Sequence, residues 1–99
     1  MNITETLNER GKRYGLFLLH SYITQELKQV IQENTPAFRI VDGKRVPFLE
    51  ADQKEALEMI CHKIGRIING DPNYADSWHD IAGYAQLVAD RLNQDENNE

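Results

Sequence analysis

Three observations predict a mainly α-helical fold. Apolar residues recur at helical spacing over three stretches, about 14–33, 52–69 and 76–93, which predicts a three-helix core. Between residues 38 and 48 the period changes to alternation around Asp42-Gly43, which predicts a β-hairpin between the first and second of these helices. The chain has 99 residues, 40% of them hydrophobic, which suits one domain (residues 1–93) with a modest core. So small a core gains from association, and a helical-bundle homo-oligomer is expected.

Residues Met1 to Arg13 are polar and read as a short lead-in. The first helix carries Leu16, Leu19, Ile23, Leu27 and Val30 as its stripe and ends at Asn34-Thr35-Pro36. In the hairpin, Asp-Gly tolerates positive φ at both central positions. Phe38 and Ile40 are expected to share a face with Val46 and Phe48 and to pack on the helices, with Pro47 confining its strand to an edge. Asp52 and Glu55 fit an acidic capping box opening the second helix. Leu57, Ile60, Ile64 and Ile67 form its stripe, and Gly70 stops it. After the Asp71-Pro72-Asn73 turn, the third helix opens near Asp76 or Ser77, with Trp78, Ile81, Ala85, Val88 and Leu92 as its apolar stripe and Trp78 as a core anchor. Residues 94–99 read as a disordered acidic tail.

Composition excludes several classes. The net charge of -5 and the lack of a Lys/Arg stripe argue against nucleic acid. No run is long enough to span a membrane, and the first residues lack the apolar segment of a secretory signal, so a cytoplasmic protein is expected. Cys61 is the single cysteine; it falls on an apolar helix side, and its neighbour His62 points elsewhere, so neither a zinc site nor a thiol nucleophile is expected. Gly65, Gly70 and Gly83 are too scattered for a phosphate loop.

Polar groups crowd both sides of the Gly70-Asp71-Pro72-Asn73 turn. Glu58, His62, Lys63 and Arg66 precede it; Asp76, His79, Asp80 and Tyr84 follow. Antiparallel helices bring such groups together, as an ion-pair network or as a ligand site. In the ligand reading, Lys63 and Arg66 meet phosphate oxygens. Asp76, Asp80 and Glu58 hold Mg²⁺, or Asp76 and Asp80 a ribose hydroxyl. Tyr84, Tyr74 or Trp78 stacks on a base. In the structural reading, Asp76 and Asp80 cap a helix, Lys63 snorkels and the charges pair.

Two strings are distinctive: Glu9-Arg10-Gly11-Lys12-Arg13-Tyr14-Gly15, and the segment from Glu55 to Leu92 containing Asn69-Gly70-Asp71-Pro72-Asn73-Tyr74 and Asp76-Ser77-Trp78-His79-Asp80-Ile81-Ala82-Gly83-Tyr84. Together they resemble a family of small uncharacterised phage and prophage proteins, which implies a bacterial host cell. More distantly, the chain is similar to the MazG-like all-α nucleoside-triphosphate pyrophosphohydrolases. Those proteins pair Glu-x-x-Glu on one helix with Glu-x-x-Asp on the next to hold Mg²⁺. Glu55-x-x-Glu58 matches the first half; Asp76-x-x-x-Asp80 stands in place of the second. The resemblance implies that metal-activated water releases pyrophosphate. Nucleotide binding, with or without hydrolysis, is the leading expectation. The alternative is a protein-interaction module that inhibits a host or anti-phage defence protein through Arg39, Lys44 and Arg45 of the hairpin.

Overall fold

The computed structural model describes residues 2–97. In chain order the elements are α1 (Ile3–Tyr14), α2 (Phe17–Asn34), β1 (Phe38–Val41), β2 (Lys44–Pro47), α3 (Ala51–Asn69) and α4 (Ala75–Asn97). Among the described residues there are four helices rather than three, and the hairpin follows the second helix rather than the first. The expected lead-in is α1. Asn2 caps it: its Oδ1 accepts from the Glu5 N–H at 2.9 Å, while the Glu5 carboxylate accepts from the Asn2 N–H. The apolar pattern gave little sign of this helix, because Ile3 and Leu7 are exposed and no residue of α1 is buried.

The helices form an open layer. Helix α3 packs against α2 on one side and α4 on the other, α1 sits across the α2–α3 end, and α2 and α4 do not meet. Gly65 lets α2 and α3 approach closely: a Cβ there would lie 2.8 Å from Thr24 Oγ1 and 3.0 Å from the His20 ring. His20 Nε2–H donates to the His62 carbonyl at 3.0 Å across the same contact. Cys61 is buried beside it, and burial pushes its thiol pKa up, which keeps it an inert packing group.

Helix α3 begins one residue earlier than expected, and its cap lies two residues earlier. The Glu50 N–H donates to Gln53 Oε1 at 2.9 Å, so Glu50 and not Asp52 is the cap. Asp52 instead accepts from Arg91 Nε at 2.9 Å. Arg91 also pairs with Glu50 at 2.7 Å and Asp95 at 3.0 Å, clamping α4 onto the start of α3 and holding the guanidinium pKa above its ordinary value. Asp95 therefore belongs to a helix that runs through residues 94–97, where a tail was expected; residues 98 and 99 lie outside the described residues.

The hairpin turn takes φ 52° at Asp42 and 75° at Gly43, as Asp-Gly favours. The register pairs Phe38 with Pro47, Arg39 with Val46 and Ile40 with Arg45. Val46 thus lies on the face opposite Phe38 and Ile40, because the two-residue turn fixes the parity of the pairing. Neither strand packs against a helix. Arg45 covers the Phe38 ring instead, at 4.3 Å. Trp78 is likewise no core anchor: it is 55% exposed and its indole N–H donates to the Pro72 carbonyl at 2.9 Å. The face of α4 turned to α3 is Ser77, Ile81, Tyr84, Val88 and Arg91, rotated from the expected stripe because the Arg91 and Asp80 ion pairs set the helix phase.

Candidate functional site

The turn after α3 is held by the α1–α2 junction. Gly15 sits at φ 76°, which bends the chain sharply between the two helices. Asn69 Nδ2 donates to the Tyr14 carbonyl at 2.9 Å and to the Leu16 carbonyl at 3.0 Å. The Asp71 N–H donates to the Arg13 carbonyl at 2.6 Å. Arg13 lies 4.2 Å over the Tyr74 ring, and Tyr14 meets Tyr74 edge to face. The end of the first distinctive string, at Gly15, and Asn69 within the second thus touch in space.

This clasp divides the groups expected to form one site. Lys63, 8% exposed, pairs with Asp80 at 2.9 Å between α3 and α4. That hydrogen bond first, and the Lys63 charge second, hold the Asp80 carboxyl below the usual carboxylate range. Asp76 accepts from the Tyr74 hydroxyl at 2.8 Å. Arg66 stacks over Tyr14 at 4.6 Å, toward α1. Tyr84 borders a shallow hollow with Asp80 and Leu87, and a second groove with Glu55 and Arg91. Glu58 faces Lys28 and Lys54 at the far end of the layer. Trp78 is turned to Pro72. Among the described residues no three His, Cys, Asp or Glu side chains converge to hold a metal.

Because the folded pKa of Asp80 lies below its unfolded value, its contribution to stability is whole above the ordinary value of about 3.9 and is lost as pH falls through the folded value. Asp80→Asn should therefore lower the melting temperature at neutral pH, since it leaves the Lys63 ammonium without its partner. The gap to the wild type should narrow at about pH 3. Thermal unfolding at the two pH values measures it.

A different constellation gathers at the α1–α2–α3 junction. Arg10, Tyr14, Phe17, His20 and Arg66 line a hollow of about 320 Å³, within the range of small-molecule sites. Arg10 and Tyr14 are four residues apart on one face of α1, Phe17 and His20 three apart on α2. Phe17 stacks on His20, and His20 on His62. Among the described residues neither Arg10 nor Arg66 has a carboxylate within 4.0 Å, unlike Arg13, Arg39 and Arg91. The His62 pKa is lowered, by burial first and then by Lys28, His20, Arg66 and Lys63, which marks this flank as electropositive. Arg66 was expected to meet phosphate, but beside Lys63, Asp76 and Asp80 at the α3–α4 turn; Arg10, Tyr14, Phe17 and His20 were not expected. Their signal was the Glu9–Gly15 string, together with aromatic side chains three apart at the start of α2.

No family model matches the chain, and neither a curated protein nor a solved structure matches it. Among the described residues no helix is long and apolar enough to cross a membrane.

Proposed function

We propose that the protein binds a phosphorylated nucleotide at the α1–α2–α3 junction and holds it intact. One observation carries the reading: two guanidinium groups that meet no carboxylate among the described residues share a hollow of ligand size with three aromatic rings. Guanidinium forks bind phosphate oxygens, and aromatic faces stack on bases. The distant similarity to MazG-like enzymes implies the same ligand class. Sequestration is preferred to hydrolysis because the carboxylates are dispersed among separate partners.

A thermal-shift and calorimetry screen of nucleoside triphosphates and cyclic dinucleotides, with and without Mg²⁺, tests this. A ligand at a hundred times its Kd stabilises the fold by about 2.7 kcal/mol. Arg66→Ala and Arg10→Ala should each weaken binding by roughly tenfold or more, as the loss of a charge-assisted hydrogen bond implies. Lys63→Ala should leave the affinity unchanged. Absence of any shift sinks the proposal, as does binding that depends on Lys63 and not on Arg66. Release of pyrophosphate in the presence of Mg²⁺ replaces sequestration by hydrolysis.

The second reading, a module that contacts a host or defence protein, is favoured by the hairpin. It stands clear of the helices, with Phe38, Ile40 and Val41 exposed. Pull-down from host extract with the wild type and with Ile40→Ser distinguishes the two.

A further inference from the structure

The layer of helices has one charged side and one apolar side. Along α3, Cys61 and Gly65 turn to α2 while Ala56 and Lys63 turn to α4, so two sides remain open. At about 100° per residue, Glu55, His62 and Arg66 fall on one of them and Leu57, Ile60 and Ile64 on the other. The same phase puts Leu19, Ile23 and Leu27 of α2 on the Leu57–Ile64 side. It puts Ala85 and Leu92 of α4 there as well, with Ile81 at the edge between this side and α3. None of these nine is buried. The middle of this side carries no charged side chain.

The apolar side is the core that the single chain lacks. The only buried hydrophobic residues are Ala56 and Cys61 among those described. The chain exposes 7535 Å², whereas a folded protein of 11.4 kDa exposes ~5,800 Å². Its radius of gyration is 17.0 Å, against about 13 Å for a closed domain of this length. The excess surface is roughly 1,700 Å², and even half of it matches the area each partner of a stable complex buries.

We propose that a second copy of this chain covers that side, two layers closing face to face about a two-fold axis. A flat stripe of Leu, Ile and Ala is complementary to itself under such an axis, and its middle presents no charge by which a different partner would be selected. Closure about a two-fold axis covers this side in both copies, so assembly through it stops at a closed pair. The hollow lined by Arg10 and Arg66 faces away from the contact and stays open. This proposal does not rest on nucleotide binding, and either can fail alone.

Native mass spectrometry and sedimentation of the wild-type chain across a wide concentration range decide it. The expected particle is twice the chain mass, with a melting temperature that rises with concentration. Ile64→Glu and Leu27→Glu should shift the particle to the monomer, while Glu55→Lys on the opposite side leaves it a dimer. A wild-type monomer at every concentration, an odd copy number, or a dimer that survives both apolar-side substitutions overturns the proposal. If those variants do not fold, the wild type still decides it: strong binding of an apolar-surface dye such as anilinonaphthalene sulfonate means an open face and overturns it.

Discussion

Gly70→Ala should lower the melting temperature by more than about 10 °C or prevent folding. The φ of Gly70, -139°, lies outside the left-handed region, and the penalty comes from what a Cβ would meet. A Cβ on Gly70 would lie 1.9 Å from the Arg13 carbonyl oxygen and 2.5 Å from Tyr14 Cα. Those are backbone atoms and cannot rotate aside. Relief requires the α1–α2 junction to lift from α3, which breaks the Asp71 N–H bond to Arg13 and both bonds of the Asn69 amide. Overpacking typically costs 1–3 kcal/mol, and the lost hydrogen bonds add about 1 kcal/mol each. At 4–8 °C per kcal/mol for a domain of this size, a loss of roughly 3 kcal/mol already exceeds 10 °C. Calorimetry of the purified variant measures it. A melting temperature within a few degrees of the wild type means that the clasp does not hold the helices together. The same variant should lose ligand binding, because Arg13 and Tyr14 position one wall of the hollow.

Gly65→Ala and Gly83→Ala should move stability in opposite directions. Both glycines lie inside helices, where alanine is favoured by about 1 kcal/mol. A Cβ on Gly83 meets nothing within 4 Å, so that gain is realised. At Gly65 the new methyl group meets Thr24 and His20, both buried and hydrogen-bonded to each other on α2, with His20 tied to α3 through the His62 carbonyl. Thr24 is β-branched and cannot turn away without losing its rotamer. An overpacking cost of 1–3 kcal/mol then outweighs the helical gain. Urea unfolding of the two variants reads the signs directly, and a stabilised Gly65→Ala would show that the α2–α3 contact is loose.

The residues reveal some elements more readily than others. The Asp42-Gly43 turn was legible because positive φ at both positions is a local requirement that few residue pairs meet. The pairing of Phe38 with Pro47 follows from that turn by counting, yet the apolar pattern drew Val46 to the wrong face, since apolarity alone does not state parity. Helix α1 was hidden because its evidence is a polar cap, Asn2 with Glu5, and not an apolar stripe. The stripes of α2 and α3 were real, but they do not mark where the helices touch. Contact runs through His20, Thr24, Cys61 and Gly65, while Leu57, Ile60 and Ile64 face outward. Reading the apolar stripe as the packed face presumes that one chain encloses its own core.

The candidate site shows the same division. Lys63 and Asp80 were correctly drawn together across the turn, because antiparallel helices joined by a short loop must juxtapose their ends. Their mutual pairing, at 2.9 Å, removes the free cation that phosphate would need. The unpaired Arg10 comes from α1 and joins Arg66 only through the clasp between Gly15 and Asn69, which lie 54 positions apart in the chain.

Sequence by itself determined the helical character, the Asp-Gly turn, the stop at Gly70 and the meeting of α3 with α4, all of them consequences of local conformational preference and short connections. Tertiary structure alone decided which side of each helix is covered, which arginines lack partners and where a hollow opens. Those outcomes depend on contacts between residues far apart in the chain, and no local pattern of residues encodes which distant group arrives first.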